Sequence, residues 1–137
     1  MDGLRAEGAT KRRFLKEPHA WILGLPLNDA TASPLVVWQG SHEIMRDAFM
    51  TAFAAMPPQA WSEIDVTEIY QDARAEVFEM CHRVELRLQP GQSVVLHRMS
   101  LHGVAPWKAG EKCPEEGRMI AYFRPEYSDM RDWLRDD

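Results

Sequence analysis

The sequence predicts a mainly β fold with a helical insert, arranged as an antiparallel sandwich or jelly roll. Short apolar runs bounded by turn residues lie toward both ends of the chain, and two segments with a helical period separate them. Strands and helices do not alternate regularly, as they would in a parallel α/β fold. At 137 residues, the chain is long enough for a single domain, residues 1–137, with a core of its own.

The strands are predicted where apolar residues cluster between turn signals. Residues 84–88 alternate apolar and charged side chains, which is the period of a half-buried strand. The turn at residues 89–92, Gln-Pro-Gly-Gln, predicts that the next strand returns antiparallel. The other predicted strands are 21–27, 35–38, 94–99 and 118–123.

Two helices are predicted between the early and late strands. Apolar residues recur at three- and four-residue spacing over 42–56 and over 66–80, and Pro57-Pro58 ends the first of these segments. Ser41 is the predicted N-cap of the first helix. A short helix is predicted over 128–134, and residues 1–18, with a basic cluster at 11–13, are predicted to be a solvated lead-in.

Composition excludes several classes of function. The formal net charge of −5 argues against nucleic acid as a partner. No apolar run approaches the ~20 residues that a membrane helix needs, and the polar first residues do not resemble a signal peptide. Cys81 and Cys113 fit free thiols in a reducing compartment, so we expect a cytoplasmic protein without a membrane partner.

A histidine and an arginine near the C-terminus are the strongest candidates for chemistry. His102 follows an apolar strand and precedes a loop that contains Gly103 and Pro106, which offers a fixed backbone and an open approach. Arg118 opens the next predicted strand and shares a face with Ile120. The pair suits a mononuclear metal with an anionic co-substrate. A structural histidine and a surface salt bridge remain the alternatives.

Several motifs in this order resemble the phytanoyl-CoA dioxygenase-like family of Fe(II)/2-oxoglutarate-dependent oxygenases. The similarity covers about residues 2 to 125 and includes the Gly-Ser-His turn at 40–42 and the Pro-Gly turn before the histidine strand. The residues that carry it are 26–31, 35–42, 88–92 and 101–103, followed by Arg118 with Ala121-Tyr122.

The resemblance implies a cupin-like double-stranded β-helix with an iron centre. Such a site uses a facial triad, His-x-Asp plus a distal histidine, and 2-oxoglutarate binds the metal beside it. By this resemblance, His102 is the distal Fe(II) ligand. Arg118 grips the distal carboxylate of 2-oxoglutarate with its fork of donors. The implied reaction hydroxylates a small molecule that the sequence does not identify.

The sequence departs from the family pattern at its beginning, because His-x-Asp does not occur in it. The chain starts Met1-Asp2-Gly3, so a histidine before Met1 would complete the motif. We therefore expect Asp2 to be the triad carboxylate and the chain to be the C-terminal portion of the jelly roll, truncated at its N-terminal side. Missing strands would leave open sheet edges, and these favour a homo-oligomer.

Two other interpretations stay open at this level. The chain could be a non-catalytic β-sandwich that serves as a binding or assembly module and keeps the fold without the metal. A cupin-type metal enzyme could instead use His97 together with His102, although their side chains would converge only across a bulge.

Overall fold

A computed structural model describes Met1 and residues 3–135 of the chain. Two α-helices lie between strands in the described residues, and 3-10 helices cover Pro58–Glu63 and Met130–Leu134. The strands are β1 (Leu4–Glu7), β2 (Arg12–Leu15), β3 (Trp21–Pro26), β4 (Leu35–Trp38), β5 (Arg83–Leu86), β6 (Val94–His97), β7 (His102–Val104) and β8 (Ile120–Phe123), and the helices are α1 (Ser41–Phe53) and α2 (Thr67–Met80).

Six of the strands form two antiparallel sheets of three strands each. Sheet A has the order β6-β3-β8, and sheet B has the order β5-β4-β7. In sheet A, Leu23 pairs with Val95 on one side and with Phe123 on the other. The prediction of a mainly β protein with a helical insert is confirmed, and the arrangement is compatible with a β-sandwich.

The two sheets meet through a small apolar core. Ile22 of β3 and Leu96 of β6 pack against Leu35 of β4, and all three side chains are buried. Because side chains alternate across a strand, these residues define the inward face of each sheet.

A second and larger core lies under the helical insert. Each helix contributes a stripe of buried side chains at helical spacing, which is why the period was readable from the sequence. The cluster contains Leu15, Met45, Phe49, Phe53, Trp61, Val66, Ala73, Val77, Met99, Leu101 and Trp133. Within the described part of the chain, neither helix has the length and apolarity that crossing a membrane requires.

The partner predicted for β6 is wrong. β6 does not return against β5; it pairs with β3 in the other sheet, with Ile22 opposite Leu96. The Gln-Pro-Gly-Gln turn therefore carries the chain from sheet B to sheet A. This crossing lets Leu86 and Leu96 contribute to the same inter-sheet core from opposite sides.

The N-terminal segment is a β-hairpin, not the predicted solvated lead-in. β1 and β2 pair antiparallel, with Leu4 opposite Leu15. The basic residues of β2 have partners at the start of α2: Arg12 forms an ion pair with Asp65, and the Arg13 guanidinium lies 4.8 Å from the centre of the Tyr70 ring. The basic cluster therefore docks the hairpin onto the helical insert.

Ser41 is not the N-cap of α1. Gly40 occupies that position with a φ of 81°, and Ser41 is the first, fully buried residue of the helix. The Ser41 hydroxyl oxygen accepts a hydrogen bond of 2.8 Å from the backbone N–H of Leu101. The serine thus ties the start of α1 to the residue directly before His102.

Replacing Ser41 with alanine should destabilise the protein, because the buried N–H of Leu101 would lose its acceptor. An unsatisfied buried donor costs about 1–3 kcal/mol. Thr51→Ala is the matched control, since that hydroxyl is exposed on the same helix. Urea unfolding measures both variants, and equal free energies of unfolding for Ser41→Ala and the wild type would contradict the assigned role.

Candidate functional site

A cavity lies between the two sheets, beside the inter-sheet core. The cavity is narrow: the space between its wall atoms is about 440 Å³ only when open solvent at its mouth is included, and its wall is largely apolar. Sheet A contributes Gly24, Ile120 and Tyr122, and sheet B contributes Leu35 and Leu86. Arg118 and Arg87 are the two cationic side chains in its wall.

Arg118 lines this cavity without a counter-charge. It precedes β8 by two residues and is half-buried. None of the described residues forms an ion pair or a side-chain hydrogen bond with its guanidinium. The surface salt bridge considered for Arg118 from sequence is therefore not found in the described part of the chain. A half-buried arginine beside apolar side chains is a strong site for an anion, because the low local polarity strengthens charge-assisted hydrogen bonds.

Arg87, in contrast, is already neutralised. Its guanidinium donates to Glu85 at 3.1 Å, to Glu111 at 3.3 Å and to the carbonyl of Thr31 at 2.8 Å. Arg87 is therefore already paired, whereas Arg118 has no such partner among the described residues and is available to a bound anion.

Glu111 pairs with Arg87 of the cavity wall and also joins two loops. Its carboxylate accepts hydrogen bonds from the backbone N–H groups of Lys108 and Ser33, both at 3.1 Å. These two donors, together with Arg87, hold the pKa of Glu111 below its ordinary value despite partial desolvation. The carboxylate stays ionised and links the loop after β3 to the loop before β8.

Asn28 fixes the backbone on both sides of Arg118. Its side-chain oxygen accepts a hydrogen bond of 3.0 Å from Met119 N–H, and its side-chain nitrogen donates to the Gly117 carbonyl at 2.7 Å. A further backbone bond runs from Leu27 N–H to the Met119 carbonyl at 2.9 Å. Asn28 is therefore a positioning residue. The sequence does not reveal this role, since the partners of Asn28 lie about ninety positions away.

His102 is the first residue of β7, where the sequence predicted a loop. Its partner in the ladder is Val37 of β4, so the two side chains share one face of sheet B, the face that Leu35 turns toward sheet A. The pairing of β7 with β4 replaces the expected loop because the backbone of residues 35–37 offers free hydrogen-bonding groups on that side. The histidine is thus held by a sheet and not by a flexible connection.

The ring of His102 lies between two backbone groups. Its Nδ1 is 2.9 Å from the Ser100 carbonyl oxygen and 3.1 Å from the α-amine of Met1. A proton on Nδ1 would be donated to Ser100 and would leave Nε2 unprotonated, which is the form a metal ligand needs. With the opposite tautomer, Nδ1 would accept from the Met1 amine. The start of the described chain therefore lies directly beside His102.

The sequence predicted His102 and Arg118 on neighbouring strands, but the structure does not place them there. His102 is in β7, which pairs with β4, whereas Arg118 lies just before β8, which pairs with β3, so the two residues are attached to opposing sheets. Arg118 lines the inter-sheet cavity, whereas His102 is not among the residues of its wall. Both residues lie on the side where the two sheets face each other, and on that side the ring of His102 contacts Met1.

The remaining candidate ligands do not join this site in the described structure. Asp2, the predicted triad carboxylate, lies outside the described residues. His97 is in sheet A opposite Trp21, and its ring packs 4.9 Å from that of His42. Across Met1 and residues 3–135, no three histidine, cysteine or acidic side chains come together to hold a metal ion.

No protein-family model matches the chain, and no curated protein or solved structure is significantly similar to it. The family named from the sequence motifs therefore stays a prediction.

Replacing Asn28 with alanine should weaken binding of the predicted co-substrate, 2-oxoglutarate, because the backbone around Arg118 would lose two hydrogen bonds. We expect about a three- to tenfold rise in Kd, since each such bond contributes about 1 kcal/mol. Asp29→Asn, an exposed change at the next position, is the control. Ligand-observed NMR gives the Kd values, and an unchanged Kd for Asn28→Ala would remove its positioning role.

Proposed function

We propose that this chain carries the co-substrate site of an Fe(II)/2-oxoglutarate-dependent oxygenase that acts on a small molecule. The observation that carries the proposal is the guanidinium of Arg118, which pairs with none of the described residues, in the wall of an apolar cavity between two sheets. In this assignment, Arg118 binds the distal carboxylate of 2-oxoglutarate and His102 is one iron ligand. The motifs that resemble the phytanoyl-CoA dioxygenase-like family support the same roles.

The chemistry of the cavity suits a dicarboxylate with a short carbon chain. The planar guanidinium can donate two parallel hydrogen bonds to one carboxylate, and the apolar wall accommodates the methylene groups of the ligand. Glu85 and Glu111 hold the second arginine of the wall, so a ligand carboxylate would not be shared between two arginines. Asn28 holds the backbone around Arg118, so that this arginine can serve as the single anchor for the ligand carboxylate.

The arrangement of strands supports an incomplete double-stranded β-helix. After β3, the chain passes to sheet B for β4 and β5, to sheet A for β6, to sheet B for β7 and back to sheet A for β8. A jelly roll contains about eight strands in two sheets. Among the described residues, β7 and β8 each pair on one side only, which leaves an edge in each sheet where a further strand would add.

The described residues do not form a metal site by themselves, so the iron centre needs groups outside them. It would use His102, the carboxylate of Asp2, and a histidine attached to Met1. The Met1 amine lies 3.1 Å from His102 Nδ1, so a residue joined to that amine would stand beside His102. Iron and 2-oxoglutarate, when bound together, supply the oxidation that hydroxylates a C–H bond.

One observation favours a second function, a non-catalytic binding module. The described residues bring no three metal-ligating side chains together, yet they place Arg118 in the wall of the cavity between the sheets. A protein with that site alone would bind a dicarboxylate without oxidising anything. The two functions differ in whether metal binding depends on His102.

Replacing Arg118 with glutamine should reduce the affinity for 2-oxoglutarate, because one carboxylate would lose its charge-assisted hydrogen bonds. We expect a rise in Kd of about tenfold or more, since bonds to charged groups contribute about 1.5–3 kcal/mol. Arg118→Lys should restore only part of it, because an ammonium cannot form the fork. Arg83→Gln, an exposed arginine of β5, is the control.

The same titrations with 2-oxopentanoate isolate the distal carboxylate, which that ligand lacks. Its binding should be equally weak for the wild type and for Arg118→Gln. If Arg118→Gln bound 2-oxoglutarate as well as the wild type does, the anchor assignment would be wrong. Circular dichroism confirms that each variant is folded before its Kd is compared.

Adding one histidine before Met1 should strengthen Mn(II) binding relative to adding one alanine, because only the histidine completes His-x-Asp. His102→Ala in the histidine-extended chain should abolish the gain, since it removes a second ligand. Electron paramagnetic resonance of free Mn(II) measures the affinity of each variant. Equal Mn(II) affinity of the two extended chains would contradict the iron centre and favour the binding module.

A further inference from the structure

The helical insert presents an uncovered groove between α1 and α2. Ile44, Ala48 and Ala52 of α1 form one side, and Ile69 and Ala73 of α2 form the other. The groove holds about 1040 Å³ of space that is open to solvent. It lies on the insert, apart from the cavity between the sheets.

The groove arises because α1 has a second line of apolar side chains beside its buried stripe. In α1, the buried stripe contains Met45, Phe49 and Phe53. The groove residues Ile44 and Ala48 precede that stripe by one position and form a second line at the same spacing. A surface helix with one partner needs a single apolar stripe. The second line is only half-buried, so it is available to another element.

The rim of the groove is acidic. Asp47 of α1 and Asp72 and Glu76 of α2 line it, and all three are exposed. Within Met1 and residues 3–135, these carboxylates form no ion pair, and the lining contains no lysine or arginine. An apolar floor between unpaired carboxylates is complementary to a ligand with an apolar face and basic flanks.

We propose that this groove binds a basic amphipathic helix of a partner protein. The lining runs from Ile44 to Ala52 in α1 and from Ile69 to Glu76 in α2, a length of about 12 Å at ~1.5 Å per residue, which suits about two turns of a bound helix. An extended peptide would find no backbone partners there, because the backbone groups of α1 and α2 are used within the helices. A second copy of this chain would bring two acidic rims together, so self-pairing is disfavoured.

The test measures binding of a fluorescent 18-residue helical peptide with leucines on one face and lysines on the other. A peptide of the same composition in scrambled order, without an amphipathic face, is the ligand control. The wild-type chain should bind the amphipathic peptide, and raising the salt concentration should weaken binding, because the rim contributes electrostatically.

The double variant Asp72→Lys and Glu76→Lys should weaken peptide binding by about tenfold or more, because it reverses the charge of the rim. The double variant Glu79→Lys and Glu115→Lys changes the net charge equally outside the groove and should leave the Kd within about twofold. Ala48→Leu, which fills the floor, should also weaken binding. Equal Kd values for the two charge variants, or equal binding of the scrambled peptide, would overturn the proposal.

Discussion

The buried guanidinium of Arg98 connects the two halves of the protein. Arg98 directly follows β6 and is fully buried. It donates to the carbonyls of Trp133 and Arg135 at 2.8 and 2.6 Å and to the Tyr127 hydroxyl at 3.2 Å. These bonds hold the C-terminal 3-10 helix, whose Trp133 completes the core under α1. A buried cation is costly unless its donors are satisfied, so sheet A and the insert are held in one relative position.

The larger core and the cavity between the sheets occupy different parts of the molecule. The core under the insert is large and well filled, whereas the sheets meet through only a few buried side chains. The sparse contact leaves room for the cavity that Arg118 lines. Where packing between the sheets is sparse, Asn28 and Glu111 hold the loops beside the cavity through hydrogen bonds. The residues that line the cavity are therefore different from those that form the larger core.

The sequence allowed prediction of the features that depend on local pattern. The helices were predictable because their core stripes repeat within a few residues, and β4 because it is a short apolar run between turns. Three other features could not be predicted, because each depends on contacts with residues far away in the sequence. They are the partner of β6, the docking of the N-terminal hairpin through Arg12, and the role of Asn28. Ser41 shows the same limit. Its hydroxyl suits an N-cap, but it accepts a hydrogen bond from the buried N–H of Leu101 instead.

The pairing of β3 with β8 also has a consequence for how the molecule is made. Leu23 lies opposite Phe123, so β8, the strand that follows Arg118, pairs with a strand that lies far earlier in the sequence. The helices α1 and α2 lie between these two strands in the sequence, so both emerge from the ribosome before sheet A can close. The core beneath the helices is completed later still, when Trp133 joins it. The cavity between the sheets can therefore form only after β8 has joined β3.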